Sequence, residues 1–470
     1  MSKAGLIGIG LDTYWDQFDG LYEKLTKYQS IIKSRIESFG VEVVNAGMAD
    51  NPMKAREAGI MLKTMNVEVI FLYISTYALS STVLPVVQAV KTPVIILNLQ
   101  PVAQIDYEKF NELKDRGQMT AIWLEHCQAC SVPEIASVFN RAGIRYDIVT
   151  GYLDEEAVWE EIRHWTEAVK VAVIMKKNRM VVLGHYYCGM LDVYTDMTKV
   201  SSVFGTHFEL LEMCDLKKFR DEVTMDDVNS KLKEFQREFI VMPECEQTEL
   251  ERAARTSAAL DKLVSHHELD SVAYYYEGQS GNEYENIATS VIAGNTLLTG
   301  KGIPVAGECE IKNALAMKIM SAFGAGGSFS EFYLMDFQDD VLLLGHDGPA
   351  HFAIAEGRVK LVPLPVYHGK PGKGLSIQMS VRHGPVTLLS VVEGKDDVFL
   401  LAAEGESVPG PVLEIGNTNS RYRFSVGARD FMDLWSKQGP AHHCAIGTGH
   451  ITEKIEKMGL ILGIRTVKIC

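Results

Sequence analysis

Strand and helix patterns alternate through the first 150 residues of the chain. Short apolar runs rich in Val, Ile and Leu occupy residues 4–10, 41–45, 67–75 and 93–98. Between the first two runs, apolar side chains recur at helical spacing from Leu21 to Ile36, and Gly40 follows as a helix stop. Such alternation predicts a parallel sheet that helices cover on both faces. Later in this region, residues 131–134 have the spacing of a capping box, which predicts a helix beginning there.

A second α/β pattern begins near Asn178, with predicted strands at residues 180–184, 208–213 and 271–276. From about residue 328 the pattern changes to short strands with Gly, Pro and Asp turns, at residues 341–344, 359–366, 375–381, 386–392 and 398–402. These short strands predict a mainly antiparallel barrel or sandwich. The predicted fold class is therefore α/β, with two parallel-sheet α/β domains followed by a mainly antiparallel β C-terminal domain. The predicted boundaries are 1–175, 176–327 and 328–470.

Charge and hydropathy exclude two kinds of partner. No apolar run is long enough to span a bilayer and the N-terminus lacks a signal-peptide pattern, so a cytoplasmic protein without membrane contact is expected. The formal net charge of −15 argues against nucleic acid, because phosphate backbones are bound by clustered Lys and Arg.

Two motifs in the N-terminal region fall short of known cofactor sites. The glycines of residues 5–10 do not complete a dinucleotide-binding fingerprint, because Thr13 stands at the third glycine position. Cys127 and Cys130 form a lone CxxC without a second pair, so reduced thiols are expected there. The sequence therefore predicts no nicotinamide cofactor.

Acids and histidines in the last third of the chain form a candidate metal site: Glu308, Glu331, His346, His442 and His443. Two carboxylates and two imidazoles, one of them from the adjacent pair His442 and His443, suit a divalent ion that keeps a coordination position open for substrate. Taken singly, each residue also has a structural interpretation. Glu308 could cap a helix, Glu331 could be a strand-edge carboxylate, and His346 could lie in a turn.

Four segments resemble the metal-site segments of L-arabinose isomerase and its L-fucose isomerase relatives. They are residues 306–308 with Lys312, residues 326–331, residues 344–346 and residues 439–443. The resemblance implies a site for Mn²⁺, with Co²⁺ or Mg²⁺ as alternatives, and the ligands Glu308, Glu331, His346 and His443. His351 is the alternative to His346.

The same resemblance implies an aldose–ketose isomerase that works through an enediol. Glu308 and Glu331 would be its acid and base, with Glu308 the first choice for the base. The sugar contacts implied by the family are Gln128, Tyr77, Met190, Tyr276 and His442. Of these, the two tyrosines and Met190 can equally be residues of the core.

Two segments depart from the family pattern. Cys130 and Ser131 stand where the family has a histidine, and residues 12–17 replace an N-terminal Gln-His-Leu-Tyr-Gly element. The metal chemistry is therefore expected to be retained, while the identity of the sugar substrate is left open.

The nearest named reaction is the conversion of L-arabinose to L-ribulose, and D-galactose to D-tagatose or an L-fucose-like reaction are alternatives. The resemblance further implies a homo-oligomer, a trimer-based hexamer with shared active sites. Two other functions stay open. One is an isomerase or epimerase of a sugar acid, with His185 or Arg421 as the cationic partner. The other is a non-catalytic sugar-binding protein.

Overall fold

The computed structural model describes residues 2–277, 281–365 and 372–470. The chain separates into two compact units. Unit 1 comprises Met1–Val173 and Leu460–Gly463, and unit 2 comprises Ile174–Gly459 and Ile464–Cys470. The division into three domains, with boundaries after residues 175 and 327, stays a prediction. Within the described ranges, no helix is both long and apolar enough to cross a membrane.

Unit 1 is an α/β layer structure. Its strands are β1 (Lys3–Ile9), β2 (Glu42–Ala49), β3 (Val69–Ile74), β4 (Val94–Gln100) and β5 (Tyr146–Tyr152). Its helices are α1 (Leu21–Ser38), α2 (Pro52–Thr64), α3 (Leu84–Val90), α4 (Tyr107–Glu112), α5 (Arg116–Glu125) and α6 (Gln128–Ala142), and α7 (Glu156–Lys177) continues into unit 2. All strand pairs are parallel, in the order β2–β1–β3–β4–β5. Every residue of the central strand β3 is buried, which confirms the predicted sheet.

One helix start in unit 1 differs from the prediction. Helix α6 begins at Gln128, after Cys127, and not at the capping-box pattern of residues 131–134. Ser131 cannot cap, because its hydroxyl donates to Ala78 O at 3.1 Å and accepts from Ala78 N at 2.9 Å. The fourth residue of the pattern, Glu134, accepts from Ser80 N at 2.9 Å. Tertiary hydrogen bonds have therefore replaced the local ones that the pattern predicted.

Unit 2 begins with alternating strands and helices. The strands of this part are β6 (Arg179–Gly184), β7 (His207–Leu211), β8 (Ile240–Val241), β9 (Ser271–Tyr275) and β10 (Val305–Ala306). Its helices are α8 (Met197–Phe204), α9 (Met213–Asp221), α10 (Met225–Glu238), α11 (Gln247–His267), α12 (Glu285–Ala288), α13 (Ile292–Gly300) and α14 (Ile311–Ala322). Four of the strands form a second parallel sheet in the order β10–β9–β6–β7.

The rest of unit 2 is rich in strands. They are β11 (Gly326–Asp336), β12 (Val341–His346), β13 (Lys360–Pro363), β14 (Leu375–Gln378), β15 (Gly384–Glu393), β16 (Val398–Val408), β17 (Thr418–Phe424), β18 (His443–Thr448) and β19 (Thr466–Lys468). Two further helices are α15 (Ala428–Ser436) and α16 (Thr452–Leu462). The predicted strand 359–366 corresponds to β13, and Val366 lies outside the described residues.

The C-terminal strands form a closed antiparallel barrel. Its sheet runs β15–β18–β11–β12–β17–β16, and β15 pairs again with β16 to close the ring. Strand β19 adds to β16 in parallel, while β8, β13 and β14 form a separate small sheet. The predicted antiparallel β region is thereby confirmed.

Helix α14 lies between the second parallel sheet and the barrel. It contacts β9 and β10 on one side and β11, β15 and β18 on the other. Its residues from Ile311 to Met320 are all buried. The loop that leads into α14 carries Glu308, so this packing brings Glu308 to the barrel strands.

Candidate active site

Glu331 and His443 are direct neighbours on adjacent barrel strands. In the observed register, Glu331 of β11 pairs with His443 of β18 on one side and with Gly345 of β12 on the other. His346 follows Gly345 at the end of β12. Because opposite residues of an antiparallel pair have Cβ atoms about 5 Å apart, the register brings these predicted ligands together.

Glu308 reaches the same place through an uncommon backbone conformation. Glu308 and Cys309 have φ values of 55° and 61°, in the left-handed region that residues other than glycine rarely adopt. A hydrogen bond from Cys309 N to Tyr274 O, 3.0 Å long, ties this turn to β9. Conformations of this kind persist where the surroundings enforce them, and they cluster at functional sites.

The helix cap proposed for Glu308 belongs to Glu310. The Glu310 side chain accepts a hydrogen bond from Lys312 N at 3.1 Å and so caps α14. Its other oxygen lies 3.8 Å from His443 Nδ1, and both side chains are fully buried. Glu308 is thereby left without a capping role.

The other four predicted residues surround Glu308. The three histidines each have a ring nitrogen within 4 Å of its carboxylate, and Glu331 lies within 4 Å of His442. Glu308 Oε2 lies 3.4 Å from His443 Nε2 and 3.5 Å from His442 Nε2. Glu308 Oε1 lies 3.9 Å from His346 Nε2. Glu331 Oε2 lies 3.9 Å from His442 Nε2. The structure therefore brings together all the residues of the predicted cluster.

Two overlapping sets of ligand atoms arise from this arrangement. One set is Glu308, His346 and His443, the other is Glu331, His442 and His443, and within each set the atoms lie within 4.8 Å of one another. The alternative ligand His351 belongs to neither set. Its side chain is buried, and burial lowers its pKa to about 4.

The residues of the cluster fit a divalent ion. Glu308 Oε2 and both ring nitrogens of His443 are buried without a hydrogen-bond partner among the described residues. A buried polar atom left unsatisfied costs about 1–3 kcal/mol, and an ion shared by Glu308 Oε2 and His443 Nε2 would remove that cost. Glu310 Oε2 lies 3.8 Å from His443 Nδ1, beyond hydrogen-bond distance, on the side where a carboxylate usually supports a ligating histidine.

His346 is held in a different way. Gly348 N donates a hydrogen bond to His346 Nδ1 at 2.9 Å, which leaves the proton of a neutral ring on Nε2, facing Glu308. For His346 to bind a metal ion through Nε2, its ring proton must move to Nδ1, and the hydrogen bond from Gly348 N must break.

Phe329 fixes two of the imidazole rings and was not predicted from the sequence as a site residue. Its buried ring lies 4.5 Å from the ring of His346 and 4.4 Å from that of His443, between centroids. Phe329 lies two residues before Glu331 on β11, so the two side chains face the same side of the strand. This alternation was the only signal in the sequence that placed Phe329 near the site.

Asp192 orients His442, and no sequence motif pointed to it. Asp192 Oδ2 accepts from the backbone N–H of His442 at 3.0 Å and from its ring Nδ1 at 2.6 Å. Burial alone would lower the pKa of His442, but the contacts with Glu308 and Asp192 outweigh it and raise the pKa to about 9. His442 therefore carries a positive charge at neutral pH in this arrangement.

Lys312 holds the segment that carries Asp192. Its buried ammonium group donates to Asp192 O at 2.9 Å, Val193 O at 3.3 Å and Thr195 Oγ1 at 3.1 Å. Residues 192–195 are thereby tied to α14, the helix that follows Glu308.

The two carboxylates of the cluster have different proton affinities. Burial raises the pKa of Glu331. Burial also acts to raise the pKa of Glu308, but three neighbouring imidazoles outweigh it and lower the pKa. Because a group with a higher pKa holds a proton more strongly, this difference favours Glu331 as the acid and Glu308 as the base of the pair.

A cavity of about 730 Å³ opens over Glu308, Glu331 and His346. Its wall is rich in tyrosine and includes Tyr187, Tyr274, Tyr275, Tyr276 and Tyr333. Of the predicted sugar contacts, Tyr276 lines this cavity, whereas Met190 lies in the same loop as Tyr187 without lining it. No Lys or Arg is found among the lining residues that the structure describes.

Two predicted sugar contacts lie in unit 1. The side chain of Gln128 is fully buried, and its Nε2 donates to Ser75 O at 3.0 Å and Glu125 O at 2.8 Å. Tyr77 is half-buried beside a small apolar cluster that includes Leu124. Contact of either residue with a sugar stays a prediction.

The two cationic candidates for a sugar acid have different surroundings. Arg421 lines another cavity, and its guanidinium group forms ion pairs with Asp339 and Asp336. His185 is exposed, and its ring lies 5.6 Å from the ring of Tyr275 and 5.8 Å from that of Tyr276. Of the two, His185 alone adjoins the tyrosine-rich cavity.

Comparison with known proteins finds relatives among the curated sequences, whereas no protein-family model matches the chain. A sulfoquinovose isomerase from Alkalicoccus urumqiensis is 21% identical over 326 residues, covering 69% of this chain and 72% of the relative. The L-arabinose isomerase of Bacillus subtilis (strain 168) is 22% identical over 355 residues, covering 72% and 69%. The L-arabinose isomerase of Nocardioides sp. (strain ATCC BAA-499 / JS614) is 21% identical over 350 residues, covering 72% and 68%.

A solved sugar-binding protein of an ABC transporter from Legionella pneumophila covers 66% of this chain at 12% identity. Its TM-score of 0.15 is too low to bear on the fold.

The class of protein follows from these relatives and from the cluster described above. The chain is an enzyme of the isomerase class. Its relatives are L-arabinose isomerases and a sulfoquinovose isomerase, which supports the resemblance to an L-arabinose isomerase-like family that the segments around Glu308, Glu331, His346 and His443 predicted.

Proposed function

We propose that this enzyme is a divalent-metal-dependent aldose–ketose isomerase of a free pentose or hexose. The observation that carries the proposal is the meeting of Glu308, Glu331 and three histidines beside a cavity of about 730 Å³, which Glu308, Glu331 and His346 line. The relatives named as isomerases of sugars support the reaction type. L-Arabinose to L-ribulose is the first reaction to test, followed by D-galactose to D-tagatose and an L-fucose-like reaction.

The proposed metal ligands are Glu308, Glu331, His346 and His443, and Mn²⁺ is the proposed ion, with Co²⁺ and Mg²⁺ as alternatives. When bound, such an ion would supply positive charge that stabilises the negative charge developing on the sugar during enediol formation. Hard oxygen ligands and imidazoles together suit this group of ions.

Glu308 and Glu331 are the proposed proton carriers between C1 and C2 of the sugar. Their pKa values are shifted in opposite directions, which is the usual arrangement for an acid and a base in one site. His442 is the proposed contact of a sugar oxygen. Because Asp192 holds its Nδ1, its Nε2 faces Glu308 and Glu331.

The wall of the cavity favours a neutral sugar. Tyrosine offers an apolar ring face and a hydroxyl, which together suit a polyhydroxylated ring. A sugar acid would need a cationic partner, and among the described lining residues none is Lys or Arg. Sulfoquinovose stays in the test because one relative is named for it.

The remaining elements of the proposal rest on the family resemblance. They are sugar contacts at Gln128, Tyr77, Met190 and Tyr276, and a homo-oligomer, trimer-based, with shared active sites.

A panel of aldoses tests the proposed function. Chelator-treated protein is supplied with Mn²⁺, and ketose formation is measured for L-arabinose, D-galactose, L-fucose, sulfoquinovose and a sugar acid, with Glu308→Gln as the matched variant. We expect turnover of a neutral aldose by the wild type and a loss of at least about 100-fold in the variant. Sugar binding without metal and without turnover would instead identify a non-catalytic sugar-binding protein.

A further inference from the structure

A second cavity in unit 2 is lined by three arginines. It has a volume of about 350 Å³ and lies among α9, α10, α11 and α12. The arginines are Arg220 of α9 and Arg252 and Arg255 of α11. None of the residues of the candidate active site lines it.

Arg220 and Arg255 have only neutral hydrogen-bond partners. Arg220 Nε donates to Thr256 Oγ1 at 3.0 Å. One terminal nitrogen of Arg255 donates to Val223 O at 2.7 Å, and the other lies 3.5 Å from Met225 Sδ. Across residues 2–277, 281–365 and 372–470, no carboxylate forms an ion pair with Arg220 or Arg255, although Glu251 lines the same cavity.

The third arginine and the acid in the cavity wall have other side-chain partners. Arg252 is already paired with Glu249, and it donates to Asn286 O at 2.8 Å. Glu251 lines the cavity, but its Oε1 accepts from Gln247 Nε2 at 2.8 Å, and it forms no ion pair with the arginines described.

Neighbouring cations disfavour the charged form of Arg220. Burial lowers the pKa of Arg220, the positive charges of Arg255 and Arg252 lower it further, and Asp221 offsets part of this effect. A guanidinium group stays charged in proteins, so the repulsion is relieved by a bound anion and not by loss of a proton.

We infer that this cavity is a binding site for a phosphate-class oxyanion, held by Arg220 and Arg255. The guanidinium fork matches two oxygens of phosphate, and Arg220 keeps both terminal nitrogens available for such a pair. The anion is either inorganic phosphate or the phosphate group of a monoester. This site is independent of the proposed isomerase activity.

Calorimetric titration of the full chain with inorganic phosphate, in chloride buffer of matched ionic strength, tests the site. We expect saturable binding to the wild type, weakened about tenfold or more in Arg220→Gln and Arg255→Gln, because each substitution removes charge-assisted hydrogen bonds. Arg237→Gln is the matched control, since it removes the same charge from a side chain that is 69% exposed. No saturable binding, or equal binding by all the variants, would overturn the inference.

Two further measurements keep the test decisive. The thermal midpoint of each variant without phosphate shows whether it folds, and Arg255→Lys replaces any variant that does not, because it keeps the charge and loses the fork. A parallel titration with a pentose phosphate distinguishes the sources. Tighter binding than inorganic phosphate identifies a monoester ligand, and equal binding identifies the phosphate group alone.

Discussion

The carboxylate of Asp192 accepts two hydrogen bonds from His442, one from the backbone N–H at 3.0 Å and one from the ring Nδ1 at 2.6 Å. A single oxygen thereby fixes both the position of the residue and the rotation of its ring. The other ring nitrogen faces the two carboxylates of the cluster. The negative charge of Asp192 should therefore stabilise the positive charge on His442 next to these two carboxylates.

The first prediction concerns the pH dependence of stability in metal-free protein. The pKa of His442 in the folded chain is raised from 6.5 to about 9, so its stabilising contribution is fully present below pH 6.5. The contribution is lost as the pH rises through about 9. Urea unfolding of chelated protein between pH 6 and pH 10 measures it, and Asp192→Asn should flatten that decline.

Asp154→Asn is the control for this effect, because Asp154 is exposed in unit 1. An unchanged pH profile in Asp192→Asn, matching that of Asp154→Asn, would show that Asp192 does not set the charge of His442.

The second prediction concerns the buried ammonium group of Lys312. Lys312→Met should reduce the free energy of unfolding by about 2–4 kcal/mol, because it leaves several carbonyl groups and Glu310 without a cationic partner. It should also lower turnover, because the segment carrying Asp192 loses its anchor.

Lys318→Met separates the two effects. Lys318 is also a buried lysine of α14, but it donates to Asp270 O at 3.0 Å and Gly302 O at 3.1 Å. We expect lower stability with retained turnover. Equal losses of turnover in the two variants would mean that Lys312 acts only through overall stability.

The third prediction concerns the start of β11. Gly327 has φ of 105°, and an added Cβ would lie 2.7 Å from Met317 O. Gly327→Ala should therefore destabilise the protein by about 3 kcal/mol or more, through backbone strain and overpacking together. Gly324→Ala, at φ of 75° with open space around the Cβ, should cost only about 1–2 kcal/mol. Chemical denaturation measures both, and equal losses would contradict the packing argument.

The fourth prediction concerns the carboxylate behind His443. Glu310→Gln keeps the size of the side chain and an oxygen that can cap α14, but it removes the charge facing His443 Nδ1. Affinity for Mn²⁺ should fall about 10–100-fold, as is typical when the support of a ligating histidine is removed. Metal titration measures this change. An affinity equal to that of the wild type would show that Glu310 does not support metal binding by His443.

The sequence predicted the main architecture because the relevant signals are local. Strand β3 is an unbroken apolar run of six residues, and α1 buries Leu21, Leu25, Ile32 and Ile36 at helical spacing. The chemical character of the cluster could also be predicted, since carboxylate and imidazole side chains indicate a candidate metal site without coordinates.

Other features depend on tertiary contacts that no local pattern encodes. Asp192 meets His442 across 250 residues of sequence, and the left-handed turn at Glu308 is tied to Tyr274. The capping-box prediction at Ser131 was wrong because Ser131 bonds to Ala78, 53 residues away. Long-range partners such as these decide local conformation when they satisfy the same polar groups.

Metal titration with a simultaneous assay of turnover tests the metal-dependent isomerase most directly. Chelator-treated wild type and Glu331→Gln are titrated with Mn²⁺, and bound metal and ketose formation from the preferred aldose are measured in each sample. We predict that turnover of the wild type rises in proportion to bound Mn²⁺ up to one ion per chain, and that Glu331→Gln shows neither. Ketose formation by the metal-free wild type, or full metal binding and turnover in Glu331→Gln, would contradict the proposal.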